Sequence, residues 1–353
     1  MKDEKFLKDF INSYSPSGSE QDSQQKWVDY VIKNVDEVTV DNYGNAIAKM
    51  LFNDKFKVAL SAHVDEVSYR VSYIGSSGLL TVIKNGNSDH QVAPGSRVKI
   101  HTEKGIVDGV FGWPSVNTRV GTGEKETTPS IENIFIDCGV ESKKEVHKLG
   151  IRVGCLVTYP ANFLKIGHYY TGKAFDNKIG GYVLSQVIKN IKDNAIEHNS
   201  DLLFINTVQE EVGLKGSQIV CSTYKPDVVI AIDATHDTNT PMMNKKKYGD
   251  IVCGAGPVIT ISPTNHPKLV QLIEDIAKKG KTPYQIKAIT KTSTDAESYM
   301  ANGAITALVS IPLKYMHNKV EMAHEDDVIN ATLLLTRLIK AIGPETDFSF
   351  FKK

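Results

Sequence analysis

The chain has 353 residues and is 41% hydrophobic, which is enough for a sizeable core in one large or two moderate domains. Its 41 basic residues balance 41 acidic residues, so neither nucleic acid nor an anionic membrane surface is expected as a partner. No apolar run is long enough to cross a bilayer, and the sequence therefore predicts no membrane-spanning segment.

The first segment, MKDEKFLKDFINS, predicts an amphipathic helix and not a signal peptide, because its apolar residues recur at helical spacing between charges. The loop SPSGSEQ follows, and Ser17 or Ser19 is expected to cap the helix that contains Trp27. EVTVD and NAIAKML flank an NYG turn as a hairpin, and KVALSAH follows as a buried strand.

From about Tyr69 to Leu164 the sequence consists of short, β-branched, alternating segments separated by glycine-rich turns, which predicts a compact β domain. After Leu164 helices and strands alternate. The predicted helices are NKIGGYVLSQVIKNIKDN, GLKGSQIVCSTY, HPKLVQLIEDIAKKG and EDDVINATLLLTRLIKAI, and the predicted strands are DLLFINTV, DVVIAID, GPVITIS and AITALVSI.

This alternation is typical of an α/β domain with a mixed, mainly parallel sheet covered by helices on both faces. We predict that residues 1–67 and 165–353 form this domain, which is split in sequence, and that residues 68–164 form an inserted β domain. In open α/β sheets the ligand crevice lies beyond the carboxyl ends of the strands.

The four cysteines are scattered and form no CxxC pair, so we expect neither a zinc ribbon nor a disulfide framework, and we predict a cytoplasmic protein. A metal site would then be built from His, Asp and Glu. Such residues follow several predicted strands or precede a helix: His63, Asp65, Asp176, Glu210, Glu211, Asp233, His236 and His317. This composition suits Zn²⁺, Co²⁺ or Mn²⁺.

Each of these residues also has an ordinary structural explanation. Asp176 alone is more typical of a helix N-cap, Asp233 of a turn, and His317 of a partly buried histidine. The adjacent Glu210 and Glu211 are the more informative signal, because two carboxylates at the rim of a core need a compensating positive charge.

Physical chemistry divides the roles only in part. In the His63-x-Asp65 pattern, Asp65 can accept the second ring N–H of the histidine and fix its tautomer. Of Glu210 and Glu211, one is expected to bind metal and the other to face a water molecule. The residues alone do not decide which is which.

The motifs SPSGSE, SAHVDE, PGSRVKIHTEKG, LGIRVG, GKAFDNKIGG, QEEVGLKGS, GAGPVI, STDA and IPLKYMHNKVE occur in this order over nearly the whole chain. Together they resemble the M42 family of metallo-aminopeptidases, some of which carry cellulase labels. The resemblance implies a zinc-peptidase-like α/β fold, a PDZ-like inserted dimerisation domain, and a cis peptide bond between Asp176 and Asn177.

The resemblance also implies a chemistry, namely hydrolysis of the N-terminal peptide bond of short peptides by a water molecule that bridges two divalent ions, zinc or cobalt and alternatively manganese. His63 and Asp233 would bind one ion, Glu211 and His317 the other, and Asp176 both. Glu210 would be the general base, and Asp65 would orient His63.

Further expectations concern the substrate pocket and the assembly. Substrate contacts by Ser293, Thr294 and Asp295 are implied, although KTSTDAE departs from the family pattern there, as Val67-Ser68 does after the first ligand. Family members form homo-oligomers built from dimers, commonly tetrahedral dodecamers. A metal-dependent amidohydrolase or carboxypeptidase and a metal-free glycosidase remain alternatives. The preferred first residue and the native metal are left open.

Overall fold

The computed structural model describes residues 3–52, 55–119 and 127–351. Its helices are α1 (Glu4–Ile11), α2 (Gln21–Val31), α3 (Val116–Arg119), α4 (Lys143–Lys148), α5 (Phe175–Asp193), α6 (Lys215–Tyr224), α7 (Lys245–Tyr248), α8 (Pro267–Lys279), α9 (Asp295–Ala301) and α10 (Glu325–Ala341).

The strands form one large sheet and one closed barrel. In chain order they are β1 (Glu37–Val40), β2 (Ala46–Met50), β3 (Lys57–His63), β4 (Ser68–Ile74), β5 (Leu80–Asn85), β6 (Arg97–Thr102), β7 (Gly105–Gly112), β8 (Phe135–Asp137), β9 (Leu156–Thr158), β10 (Leu164–Ile166), β11 (Tyr169–Gly172), β12 (Asp201–Thr207), β13 (Val228–His236), β14 (Val258–Ile261), β15 (Gln285–Ala288), β16 (Ile305–Lys314) and β17 (Glu321–His324).

The larger sheet has the strand order β1-β2-β12-β3-β13-β16-β17-β11-β10, with β14 paired to β16 and β15 to β14. Its central strands β12, β3, β13 and β16 are parallel, whereas the flanking pairs are antiparallel. This confirms the predicted mixed, mainly parallel α/β sheet. Because the central strands run the same way, their carboxyl ends meet at one edge of the sheet.

Helices cover both faces of this sheet. Alternate residues of β3 point to opposite sides. Leu60 joins the large core that includes Ile179 of α5, and Ala59 packs in a smaller cluster with Val220 of α6 and Tyr299 of α9. A strand that is buried on both faces typically contains consecutive apolar residues, as Val58, Ala59 and Leu60 are in KVALSAH.

The remaining six strands close into a barrel in the order β4-β5-β8-β7-β6-β9. The barrel has its own core, in which Phe111 and Tyr69 are buried edge to face. The predicted inserted β domain is therefore present, in the form of a small closed barrel, and the division of the chain at 67/68 and 164/165 stays a prediction. The Asn85–Ser17 contact joins this barrel to the N-terminal loop: the side-chain amide of Asn85 donates to the carbonyl of Ser17 at 3.0 Å.

One local prediction was wrong. Helix α2 begins after Glu20, and no side chain caps it. The two serines make other contacts, in which the hydroxyl of Ser17 donates to Asp65 Oδ2 at 2.7 Å and that of Ser19 to Gln21. The predicted hairpin of β1 and β2 is confirmed. Within the described part of the chain, no helix is both long and apolar enough to cross a membrane.

Candidate metal centre

Three of the candidate ligands lie at the carboxyl edge of the large sheet or directly beside it. His63 is the last residue of β3 and is in register with Thr207, the last residue of β12. Asp233 lies near the end of β13, the neighbour of β3 on its other side. Asp176 is supplied by the start of α5. Because the strands are parallel, residues that are far apart in sequence but lie at strand ends come together in one cluster.

Asp176 lies between the two imidazoles of the cluster and presents one oxygen to each. Its Oδ1 is 3.3 Å from His63 Nε2, and its Oδ2 is 3.1 Å from His317 Nε2. Asp176 Oδ1 is buried and has no hydrogen-bond partner among the residues that the structure describes. The peptide bond between Asp176 and Asn177 is cis, as the family resemblance implies.

The adjacent glutamates face different imidazoles. Glu211 Oε1 lies 3.2 Å from His317 Nε2, whereas Glu210 Oε2 lies 3.8 Å from His63 Nε2. Asp233 Oδ1 is 3.6 Å from the same nitrogen of His63. One set of side chains thus gathers around each histidine, with Asp176 shared between them.

Two further buried carboxylates fix the backbone of these residues. Asp65 accepts the main-chain N–H of Glu210 through Oδ1 at 3.0 Å and that of Glu211 through Oδ2 at 3.2 Å. Glu321 accepts the main-chain N–H of Asp176 at 2.9 Å and that of His317 at 2.7 Å. Each carboxylate therefore holds two site residues at once.

Asp65 also contacts the ring of His63. The Nδ1 atom lies 3.2 Å from the main-chain oxygen of Asp65 and 3.4 Å from its carboxylate Oδ1. Either oxygen favours the tautomer with a proton on Nδ1, which leaves Nε2 free to act as a ligand.

Glu321 was missed by the sequence reasoning. It stands four residues after His317 in the quoted motif HNKVE, so the only available signal was its closeness to a candidate ligand. Its function depends on the folded backbone, because its oxygens hold amide groups that are 145 residues and four residues away along the chain.

The backbone around the cluster is strained at non-glycine residues. Ala174, Gln209 and His317 adopt the left-handed region, with φ of 56°, 56° and 63°. This conformation costs a side-chain-bearing residue about 1–2 kcal/mol. Strain of this kind persists where the surrounding contacts over-determine it, which is common at functional sites.

The ionisation of the cluster reflects its crowding. Burial alone would lower the pKa of His63, but Glu210 and the neighbouring aspartates raise it well above the usual value. Burial likewise opposes the charged form of His317, yet Asp176 and Glu211 raise its pKa to about 11. In return, the two imidazoles lower the pKa of Asp176 against the effect of burial.

The other carboxyls of the cluster shift in the opposite direction. Burial, followed by the nearby carboxylates, raises the pKa of Glu210 well above its usual value, with His63 opposing. The pKa values of Glu211 and Asp233 are also raised, mainly by burial. The protein alone therefore does not neutralise all four carboxylates.

A divalent cation fits this arrangement. Two groups of potential ligands lie within 4.8 Å: His63 with Asp176 and Glu211, and His63 with Glu210 and Asp233. Two donor atoms about 2.1 Å from one tetrahedral ion are about 3.4 Å apart. The nitrogen–oxygen separations of 3.1–3.6 Å around Asp176, Glu211 and Asp233 match this value.

A cavity of about 540 Å³ opens onto the cluster. Of the three predicted substrate contacts, Ser293 and Thr294 line it. Asp295 is buried, and its Oδ2 accepts from the hydroxyl of Thr207 at 2.6 Å. His236, a further candidate from the sequence, is also part of the lining.

A second buried charge cluster lies next to the candidate ligands. Glu66 is 4% exposed, and Lys173 Nζ donates to both of its carboxylate oxygens, at 2.6 and 2.7 Å. Lys178 Nζ donates to the carbonyl of Ser13 at 2.7 Å and lies 3.6 Å from Glu66. We refer to Glu66, Lys173 and Lys178 as the lysine–glutamate cluster.

Comparisons with known proteins agree with the geometry. A family model described as M42 glutamyl aminopeptidase matches residues 44–334. A lysyl aminopeptidase of Pyrococcus furiosus is 31% identical over 351 residues, which cover 98% of this chain and 99% of that protein.

Two solved structures extend the comparison to the fold. A TET aminopeptidase from a marine sediment archaeon of the Thaumarchaeota superposes with a TM-score of 0.93 at 29% identity, covering 98% of this chain and 97% of that one. The TET1 peptidase of Pyrococcus horikoshii, described as able to assemble into a tetrahedron or a large octahedral shell, gives a TM-score of 0.83 at 28% identity, with 95% and 98% covered.

Proposed function

Because the chain belongs to the M42 glutamyl aminopeptidase family of metal-dependent peptide hydrolases, we propose that it removes the N-terminal residue of short peptides with two divalent ions. The observation that carries this proposal is the position of Asp176, with one oxygen 3.3 Å from His63 and the other 3.1 Å from His317. A carboxylate placed in this way can serve two ions at once and reduce their mutual repulsion.

The proposed ligand sets follow from the contacts around each histidine. His63 and Asp233 would hold one ion, Glu211 and His317 the other, and Asp176 both. Zn²⁺ and Co²⁺ suit such nitrogen and carboxylate donors, and Mn²⁺ is the further candidate. When bound, the ions would lower the pKa of the attacking water molecule and polarise the scissile carbonyl.

Glu210 is proposed as the general base. Glu210 is 8% exposed, and within the described residues its carboxylate makes no hydrogen bond. Its main-chain N–H donates to Asp65. Its raised pKa suits a group that accepts the proton of the attacking water and then donates it to the leaving amine nitrogen. Asp65 would act through His63 and through the backbone of Glu210, as a positioning residue.

The test is a substrate panel run on metal-free protein reconstituted ion by ion. An aminopeptidase requires a free α-amine, so we expect hydrolysis of aminoacyl p-nitroanilides and none of their N-acetylated forms. Activity should return with Zn²⁺, Co²⁺ or Mn²⁺ up to about two ions per chain.

The same panel separates the alternatives. Cleavage of N-blocked substrates would indicate an amidohydrolase or carboxypeptidase with the same metal centre. Activity on glycosides that survives complete removal of metal would indicate a glycosidase, which works with two carboxylates and no ion.

We further infer a homo-oligomer, built from dimers, from the TET assemblies among the structural neighbours. Twelve copies of the 38.9-kDa chain would have a mass of about 470 kDa, which light scattering distinguishes from a dimer. The cytoplasmic location predicted from the cysteines is supported by four free thiols.

A further inference from the structure

The proposed metal ligands differ in how firmly the fold holds them. His63 and Asp233 lie on central strands of the large sheet, and the side chain of His63 is 2% exposed. His317 instead lies in the loop of residues 315–320 between β16 and β17, and its side chain is 23% exposed. Tyr315 and His317 both adopt the left-handed region, with φ of 62° and 63°. A loop with two such residues needs contacts from outside to hold one conformation.

Asn162 makes such a contact from a different part of the chain. It lies between β9 and β10, where the chain passes from the barrel back to the large sheet. Its Nδ2 donates to the main-chain carbonyl of Lys319 at 2.9 Å, and its Oδ1 accepts the main-chain N–H of Lys173 at 2.8 Å. Because the carbonyl can only accept and the N–H can only donate, the orientation of this side-chain amide is fixed.

Each of these two partners lies close in sequence to a proposed ligand. Lys319 follows His317 by two residues, and Lys173 precedes Asp176 by three. Asn162 therefore connects the two segments whose ligand atoms, Asp176 Oδ2 and His317 Nε2, lie 3.1 Å apart. Ligand distances in a metal site are defined to about 0.2 Å, so a shift of one segment against the other would impair binding of the ion between them.

Two other contacts of the same loop show why Asn162 is informative. Lys319 Nζ donates to the hydroxyl of Ser96, a buried residue directly before β6 of the barrel, at 3.0 Å. Glu321 accepts the main-chain N–H groups of Asp176 and His317, but it begins the strand that follows the loop. Asn162 comes from neither of the two segments, so it can hold both of them against the rest of the molecule.

We propose that Asn162 is a positioning residue of the metal centre, which holds the segment of His317 at a fixed distance from that of Asp176. This inference rests on the proposed two-ion function and adds to it a residue that does not line the cavity. It concerns one ion more than the other. The ion that His317 helps to bind should depend on Asn162, whereas the ion held by His63 and Asp233 should depend on it far less.

The test measures Co²⁺ bound per chain, starting from metal-free protein, at free Co²⁺ concentrations set by a chelator. Asn162→Ala removes both hydrogen bonds and should weaken one of the two affinities by about 10- to 100-fold, as changes behind a ligand typically do. The other affinity should stay within about twofold, the scatter of an independent site. Activity should fall at limiting Co²⁺ and return at saturating Co²⁺, because every ligand and the proposed base are still present.

A second variant and a matched control isolate the connection between the two segments. Asn162→Asp keeps the size of the side chain and the acceptor for Lys173, but it turns a carboxylate oxygen towards the carbonyl of Lys319. It should weaken the same affinity, and it replaces Asn162→Ala if that variant does not fold. Asn12→Ala is the control: Asn12 Oδ1 accepts the N–H of Phe163, the next residue of the same linker, at 3.0 Å. Its two affinities should stay within about twofold of wild type.

Several outcomes would overturn the positioning role. These are unchanged affinities in both Asn162 variants, an equal weakening of the two ions, an equal effect of Asn12→Ala, and a loss of activity that saturating Co²⁺ does not restore. If the wild-type protein still binds two ions and cleaves aminoacyl p-nitroanilides, the proposed function stands and only the role of Asn162 fails. If the wild-type protein binds no ion or cleaves no such substrate, the proposed function fails, and this inference fails with it.

Discussion

Two buried clusters of charge lie side by side in this protein, and in only one of them does the chain itself supply a cation for every carboxylate. In the lysine–glutamate cluster, the carboxylate of Glu66 is matched by two lysines, and both lysines also donate to the carbonyl of Ser13. In the metal centre, four carboxylates share two imidazoles: Asp176, Glu210, Glu211 and Asp233 around His63 and His317.

The clusters are also neighbours in sequence. Glu66 follows His63 by three residues, and Lys178 follows Asp176 by two. The same two segments thus supply a self-sufficient network and an incomplete one. Burial penalises both, but only the incomplete one gains from an external cation. A buried carboxylate is thus informative about function when the fold supplies no partner for it.

The largest expected effect is a loss of catalytic activity when a carboxylate of the candidate metal centre is changed. Glu210→Gln should lower kcat by about 10³-fold or more, because a positioned general base typically contributes 10²–10⁴-fold. The bound metal, measured by elemental analysis, should be unchanged, since Glu211, Asp233 and both histidines remain. Full activity of the metal-loaded variant would remove Glu210 from the base role.

The same substitution should stabilise the metal-free protein. Glu210 has a raised pKa in the fold, so its ionisation opposes folding at neutral pH. We expect the free energy of unfolding of the metal-free variant to rise by about 1–2 kcal/mol, measured by urea denaturation at pH 7.

The lysine–glutamate cluster should respond in the opposite sense. Burial and Lys173 lower the pKa of Lys178 to about 7, so Lys173 carries most of the positive charge of this cluster. Glu66→Gln leaves that buried charge without its anion and should cost about 3–5 kcal/mol of unfolding free energy. As a control, Glu37→Gln removes the exposed partner of Lys49 and should cost about 1 kcal/mol or less. An equal loss of unfolding free energy in both variants would contradict the expected difference between buried and exposed ion pairs.

The effect of Glu66 should depend on pH. Burial opposes its charge, but Lys173 and Lys178 lower its pKa to about 2, below its ordinary value of 4.5. A lowered carboxyl pKa stabilises the fold above the unfolded-state value and stops doing so as the pH falls through the folded-state value. The stability difference between wild type and Glu66→Gln should therefore shrink between pH 4.5 and pH 2.

A smaller effect is expected for Glu321, the carboxylate that accepts the main-chain N–H groups of two proposed metal ligands. Glu321→Gln replaces one acceptor oxygen with an amide donor and should weaken metal binding by about 10- to 100-fold, as changes behind a ligand typically do. Chelator competition measures this affinity. Glu325→Gln, which changes a nearby carboxylate bound to Lys165 and His168, should leave it unaltered.

The smallest effect concerns the N-terminal loop. Ser17→Ala removes the hydroxyl that donates to Asp65 and should cost about 1 kcal/mol, with less than a tenfold loss in kcat/KM. Ser19→Ala, in the same loop, removes only an exposed contact with Gln21 and should be neutral. A larger cost for Ser19→Ala would favour a capping role after all.

The sequence predicted the parts of the site that follow from periodicity and topology. Alternating helices and strands indicate a parallel sheet, and such a sheet brings residues such as His63 and Asp233 to one edge. The sequence also predicts different roles for the adjacent Glu210 and Glu211. In the structure each of the two lies near a different histidine.

The remaining features depend on contacts that no local pattern encodes. Ser17 could have accepted from the free N–H groups at the start of α2 or donated to Asp65, and only the fold decides between these two contacts. The short strand β15, with the sequence QIKA, was not recognised as one. Lys173 and Lys178 resemble surface residues in sequence, since lysines are seldom fully buried.

The wide separation of the site residues along the chain also bears on when the protein acquires its metal. Asp176 and His317 are 141 residues apart, and Asp65 and Glu210 are 145 apart. During translation His63 emerges long before Asp233 or His317, and isolated side chains on an unfolded chain do not form a site. Nascent fragments therefore do not compete for scarce ions, and metallation becomes a property of the nearly complete polypeptide.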